Sequence, residues 1–129
     1  MAVDVGAYEA FGFGNDPIVI RRYLAGIKGG KVLDTTDYTE EFIRAGHIVI
    51  RHKESDVYRP LPVAGGEYAA LPEGCEYVGV VVASKSVREP FVSIMHTGVL
   101  NDVACPYPMK DELKTALKAA IPTLVFEHD

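Results

Sequence analysis

The chain has 129 residues, of which 48% are hydrophobic and 24% are charged, and these values suit a single globular domain with a core. Its net charge is −5, and Arg21-Arg22 is the only adjacent basic pair, so the sequence shows no basic face for nucleic-acid phosphates. No apolar run is long enough for a membrane span or a secretory leader. We therefore expect a protein made in a cytoplasm, with neither nucleic acid nor a membrane as partner.

The first 30 residues are rich in glycine and carry little amphipathic pattern. One short apolar run follows Pro17 and leads into two arginines, and it has two interpretations. It is either the first strand of the fold or an extended arm that lays residues 17–24 on the sheet edge of another subunit. We favour the arm, and divide the chain into an N-terminal arm (residues 1–30) and a β-rich body (residues 31–129). The candidate contact residues in the arm are Ile18, Val19, Ile20, Arg21 and Arg22.

Short runs of β-branched residues dominate the body. The segment AGHIVIR at residues 45–51 predicts a glycine turn that leads into a strand. Residues 58–63 are extended, because Pro60 and Pro62 exclude a helix and restrict the segment to an edge strand or an irregular strand. Residues 77–83 and 91–95 predict a central hairpin, after which a turn at residues 96–98 takes the chain out of the sheet.

One helix is predicted near the C-terminus, after Pro106 and Pro108 and before Pro122. Its apolar positions repeat with helical spacing and define one face: Met109, Leu113, Ala116, Leu117 and Ala120. A last strand follows at residues 123–126. These patterns predict a mainly β fold, with a β-clip-like or β-barrel-like body, one C-terminal helix and an extended N-terminal arm.

The sequence contains few residues whose pattern indicates chemistry. The four histidines (His47, His52, His96, His128) lack the spacings that mark zinc or non-haem iron sites. Cys75 and Cys105 form no CxxC motif, and whether they pair in a disulfide stays open. We expect no catalytic residues, no cofactor and no metal, so the protein is not expected to be an enzyme.

The order of features from Gly46 onward carries a resemblance to a known family. A strand opens after Ala45-Gly46, an extended YRPL segment follows, and then come YVGVVVAS, HTGVLND, KDELKTALKAA and PTLVF. This order resembles the lambda-type head decoration proteins of tailed bacteriophages and, more loosely, capsid head fibre proteins. By position, the resemblance matches Ala45-Gly46 to the family's first turn and Gly79-Val80 to its central strand. It likewise matches residues 96–98 to a later turn, residues 113–121 to the late helix and residues 1–30 to the arm.

The resemblance implies a β-clip-like body that sits as a homotrimer on the three-fold positions of a capsid and stabilises the expanded shell. It implies the major capsid protein as partner, the virion as location, and an arm that adds to a sheet on the capsid. Residues 58–63 and 99–104 would supply apolar edges for the trimer. Two rival functions remain: a β-rich binding or adaptor module, and a small hydrolase-type enzyme that uses His96 with a nearby carboxylate.

Overall fold

The computed structural model describes residues 16–128, which contain two helices and twelve strands. The helices are α1 (Asp16–Val19) and α2 (Asp111–Ala120). The strands are β1 (Ile20–Gly26), β2 (Lys31–Val32), β3 (Phe42–Ile43), β4 (Ile48–His52), β5 (Tyr58–Pro60), β6 (Val63–Ala64), β7 (Glu67–Tyr68), β8 (Cys75–Val81), β9 (Lys85–Ser86), β10 (Phe91–Val92), β11 (Ile94–Leu100) and β12 (Leu124–Phe126).

The main sheet has the strand order β1-β11-β8-β4-β5, and β12 also pairs with β11. β11 is the strand on which this sheet is built. Its first two residues pair antiparallel with β8, its last three pair in parallel with β12, and β1 runs antiparallel beside it from Met95 to Leu100. The chain therefore stays in the sheet through residues 96–98, and the turn predicted there is wrong. The predicted hairpin exists only as the short β8–β11 contact of two residue pairs.

Three two-stranded sheets surround the main sheet: β2 with β10, β3 with β9, and β6 with β7. Their strands are only two residues long. Two of them, β2–β10 and β3–β9, join segments that are far apart in the sequence. These short strands cannot be predicted from the alternation of apolar and polar residues, because a strand of two residues is too short to show an alternating pattern.

The core lies on both faces of the main sheet, because successive side chains of a strand point to opposite faces. Val49, Val81 and Ile94 belong to one cluster, whereas their neighbours Ile48, Val80 and Met95 belong to the other. We call the first the lower core and the second the upper core. α2 packs on the upper core through Leu117, which is fully buried. None of the helices within residues 16–128 is long and apolar enough to cross a membrane.

The predicted fold class is confirmed: residues 16–128 are mainly β, with 39% strand and 12% helix. The strand after Ala45-Gly46, the edge position of residues 58–60, the C-terminal helix and the last strand are all found. The boundary at residue 30 does not separate an arm from a body over the described residues. Ile20–Gly26 is a strand of the chain's own main sheet, as the first-strand interpretation has it, but the apolar run itself is wrongly predicted as a strand, because Ile18 and Val19 belong to α1. The arm prediction for residues 1–15 lies outside the described residues.

Candidate interaction surfaces

The start of β1 is fixed to the body by a polar anchor. The Asp16 carboxylate accepts hydrogen bonds from the Ser84 backbone N–H (3.0 Å) and from the Ser84 hydroxyl (2.7 Å). The Ser84 hydroxyl oxygen in turn accepts one from the Ala45 backbone N–H at 2.9 Å. Asp16 and Ser84 are 68 residues apart, so this network ties the N-terminal segment to the centre of the fold.

Of the five candidate contact residues, Val19 lies in this chain's own core and Ile20 packs against it. Val19 is 1% exposed, and its carbonyl accepts the Asn101 N–H at 2.7 Å. Gly46, in the predicted Ala45-Gly46 turn, has φ +88°, and a Cβ there would lie 2.6 Å from Val19 Cγ1. Glycine is therefore required both by the backbone conformation and by the approach of Val19. Ile20 is partly buried and packs against the upper core.

Arg21 and Arg22 lie on the outside of β1, and both are exposed. Arg21 Nε is 3.5 Å from the Glu127 carboxylate, a pair that joins β1 to the residue after β12. The pairing of β1 with β11 is irregular, with three shifts of register. At Gly98 a Cβ would lie 2.3 Å from the Arg22 carbonyl oxygen, so the two backbones touch. Such bulged edges are poor templates for a further strand, so β1 presents its exposed side chains rather than its backbone.

The exposed side of this segment is apolar as well as basic. Ile18, Tyr23 and Leu24 are between 50% and 56% exposed, although all three are large hydrophobic residues. Together with Arg21 and Arg22 they form what we call the β1 surface. Exposed large apolar side chains next to charged ones are typical of protein–protein contact sites.

A second exposed apolar site lies on the small β2–β10 sheet. Val32 and Phe91 are cross-strand partners, and they are 65% and 55% exposed. Their neighbours Leu33 and Val92 point the other way, into the lower core. Because both strands are fixed through these buried neighbours, Val32 and Phe91 form a rigid projection, which we call the knob.

A groove lies on the upper-core side, between α2 and the β6–β7 hairpin. It has a volume of about 300 Å³, and Ala69, Tyr77 and Leu113 are among its lining residues. It exists because the body covers only part of the apolar face of α2. Met109 and Leu117 are buried and Leu113 is partly buried, as predicted, but Ala116 and Ala120 are exposed.

The apolar edges predicted at residues 58–63 and 99–104 are largely absent from the surface. Leu61 and Leu100 are fully buried, and Ala104 is 8% exposed. Val103 alone among the large apolar residues of these two segments is strongly exposed, at 70%. The premise that these segments leave their apolar edges uncovered is therefore wrong for most of their residues, and the trimer contact assigned to them stays a prediction. The sequence showed apolar residues there but not that the chain itself covers them.

His47 is the most buried polar residue of the described chain, at 0% exposure. Its Nε2 lies 2.9 Å from the Leu61 carbonyl oxygen, and edge-to-face contacts join its ring to Tyr38, Tyr68 and Tyr107. Burial lowers the pKa of His47 to about 4, so the ring is neutral at neutral pH and donates Nε2–H to that carbonyl. The geometry is that of a satisfied core histidine.

His96 has no carboxylate partner among the contacts of the described residues. Its Nδ1 lies 2.8 Å from the Thr97 hydroxyl, which donates to Thr123 Oγ1, and the Thr123 hydroxyl donates to the His96 carbonyl. This small ring of hydrogen bonds ties β11 to the turn before β12. The arrangement uses the side chains for structure and brings no acid or nucleophile pair together.

Asp102 forms the second buried polar site. Lys114 Nζ donates to one of its carboxylate oxygens, and His128 Nδ1 lies 2.9 Å from the other. Burial alone would raise the pKa of Asp102, but the hydrogen bonds from Lys114 and His128 outweigh it and lower the pKa. The carboxylate thus joins the turn after β11 to α2 and to the C-terminal residues.

Both cysteines are free thiols. Burial raises the pKa of Cys105 to about 12, with a further contribution from Asp102, so this thiol stays protonated and is a poor nucleophile. Within residues 16–128, no group of three or more His, Cys, Asp or Glu side chains could hold a metal ion.

The comparisons with known proteins give no relative. No family model, no curated protein and no solved structure matches this chain.

Proposed function

We propose that this protein is a structural virion protein that decorates and stabilises the capsid of a tailed phage, with the major capsid protein as partner and a homotrimer as working form. The proposal begins from the resemblance in residues 45–126. The observation that supports it most strongly is the presence of two separate exposed apolar surfaces, the β1 surface and the knob. A protein that joins copies of itself and also binds a shell needs at least two such surfaces.

The β1 surface is the one we assign to the capsid. It keeps Ile18, Arg21 and Arg22 of the candidate residues and adds Tyr23 and Leu24, which belong to the predicted 17–24 segment and are exposed. Exposed ion pairs contribute only about 0–1 kcal/mol each, so apolar burial by Ile18, Tyr23 and Leu24 must supply most of the binding energy. The arginines set orientation and the rate of association.

The strand-addition mode that the resemblance implies is disfavoured for residues 20–26. Their hydrogen-bonding edge toward the body is already occupied by β11, and the bulges disturb the outer edge. The contact proposed here is therefore a side-chain contact on a preformed strand, and it requires no ordering of this segment on binding.

Co-sedimentation tests the proposal. Expanded shells of the major capsid protein encoded nearest to this chain's gene are mixed with wild-type protein, with the double variant Ile18→Ser/Arg22→Glu, and with Val103→Ser. Val103 is the matched control, because it is exposed and apolar but lies outside the β1 surface. We expect the wild type and V103S to sediment with the shells and the double variant to stay in the supernatant. If all three proteins bound equally, the β1 surface would not be the capsid contact. If the wild type did not bind, the proposed decoration function would be wrong.

A further inference from the structure

The knob and the groove lie on opposite faces of the same molecule. The neighbours of Val32 and Phe91 pack into the lower core, whereas Tyr77 and Leu113 of the groove pack against the upper core. Along the sheet, Phe91 lies beyond the end of β8 and Tyr77 lies near its start. At about 3.3 Å per residue, this places the two sites on the order of 20 Å apart along the strand direction.

The two sites differ in charge as well as in shape. Along the chain, the knob is bordered by the basic residues Lys28, Lys31 and Arg88 and by the acidic residues Asp34 and Glu89, and the Lys31 ammonium lies over the Tyr58 ring. The groove carries Glu112, and at its mouth Lys110 pairs with Glu67. The knob therefore has an excess of positive charge and the groove an excess of negative charge.

The groove suits an apolar side chain. Its lining combines apolar residues, with Ala69 and Ala70 on one side and Leu113 and Ala116 on the other, with the charged residues Glu67, Lys110 and Glu112. Its volume of about 300 Å³ lies at the lower end of the range for ligand pockets, which suits one or two large side chains rather than a whole peptide. The Lys110–Glu67 pair at its mouth is exposed, so moving it aside costs little.

We infer that the knob of one copy inserts into the groove of a second copy, with Phe91 and Val32 against Leu113 and Ala116 and with Arg88 or Lys28 near Glu112. This inference rests on the proposed homotrimer and names its contact. The partner is a second copy of this chain, because both sites present apolar side chains and the net charges beside them are of opposite sign. Two different patches meet, so the contact is heterologous, and such contacts close into rings when the rotation permits.

A ring built in this way leaves the β1 surface outside the contact. Its residues belong neither to the β2–β10 sheet nor to the groove. The same trimer can then bind its neighbours through knob and groove and bind a shell through β1.

Site-specific photo-cross-linking tests the inference. A benzophenone amino acid replaces Phe91 in the full chain, and the same residue at Val103 serves as control, since Val103 is equally accessible and lies in neither site. We expect the residue-91 probe to give cross-links between copies that map to residues 67–70 or 112–116. The residue-103 probe should give none there. Cross-links that map elsewhere, or a wild type that stays monomeric up to about 100 μM, would overturn the inference.

Dissociation constants measured by sedimentation give the second readout. Phe91→Ser should weaken self-association about ten- to a hundred-fold, the ratio expected for losing the burial of one large side chain. Ala116→Arg, which fills the groove, should do the same from the other side, and V103S should change the constant less than about two-fold. An unchanged constant in F91S and A116R would contradict the contact.

The outcome is separable from that of the proposed function. Shell binding without knob–groove cross-links would remove only this contact and leave the decoration function in place. Knob–groove cross-links in a protein that does not bind shells would remove only the capsid partner.

Discussion

β1 and α2 both border the main sheet, but different interactions hold them. β1 is fixed by backbone hydrogen bonds to β11 and by the Asp16 anchor, and most of its side chains point to solvent. α2 is fixed by side chains, with Leu117 in the core and Lys114 on Asp102. A segment held by its backbone can present its side chains to a partner. A helix that is held by its side chains has fewer side chains free to contact a partner, and the part of its apolar face that the body leaves uncovered lines the groove.

Deleting residues 1–24 should have the largest effect, because it removes Val19 from the core and most of β1 from the edge of β11. Native stability is only about 5–15 kcal/mol, so the product should lose its cooperative thermal transition or aggregate. Deletion of residues 1–15 is the control, since the described contacts begin at Asp16. Circular dichroism melts of both deletions check this. A folded 1–24 deletion would show that β1 is dispensable and would restore the arm interpretation.

Leu117→Ala should come next. Leu117 is 0% exposed, and truncation of a buried leucine typically costs about 2–5 kcal/mol. The matched control is Ala119→Ser on the exposed side of α2, which should change the free energy of unfolding by less than about 0.5 kcal/mol. Urea unfolding measures both. If L117A were as stable as A119S, the helix would not be held by its core contact.

How far the sequence predicts these two elements depends on what holds them. The 3.6-residue spacing of Met109, Leu113 and Leu117 predicts α2 and its inner face, because side-chain burial leaves a periodic trace. The spacing does not predict how much of this apolar face the body covers. Ala116 and Ala120 belong to the predicted face but are exposed. β1 leaves almost no trace, since its pairing is made by backbone groups common to every residue and its side chains are mostly exposed.

The candidate surfaces likewise depend on contacts that leave no periodic pattern in the sequence. Exposure of Val32 and Phe91 cannot be predicted from a two-residue strand, and the groove depends on a helix and a hairpin that are distant in sequence. Asp16 and Ser84 form their contact across 68 residues, a pairing that no local pattern encodes. Ala45-Gly46 is the exception, because a glycine at a strand start indicates a special backbone conformation whatever packs beside it.

The stability of the folded protein should also decrease in acid, because His47 is buried in its neutral form. Its pKa in the folded protein is about 4, below the ordinary value of about 6.5, so the unfolded chain binds more protons between these values. The stabilisation from the neutral ring is complete above pH 6.5 and is lost as the pH falls to 4. The loss amounts to roughly 3 kcal/mol.

Urea midpoints measured from pH 7 to pH 4 for the wild type and for His47→Gln check this prediction. Glutamine can still donate to the Leu61 carbonyl but does not titrate, so the difference between the two proteins should shrink or reverse toward pH 4. Parallel pH profiles for the two proteins would show that His47 is not the titrating group.

The smallest effect concerns the anchor of β1. Asp16→Ala removes the acceptor of two hydrogen bonds from Ser84 and should lower the free energy of unfolding by about 1–2 kcal/mol. Ser84→Ala and the double variant complete a double-mutant cycle. A coupling energy close to zero would mean that the backbone pairing with β11 alone positions this segment.

The thermal stability of expanded capsid shells, measured by calorimetry with and without bound protein, tests the central claim most directly. Saturating wild-type protein should raise the temperature at which the shells dissociate, and the Ile18→Ser/Arg22→Glu variant should leave it unchanged at the same concentration. Shells that dissociate at the same temperature with and without the bound wild-type protein would contradict the claim that this chain stabilises a capsid.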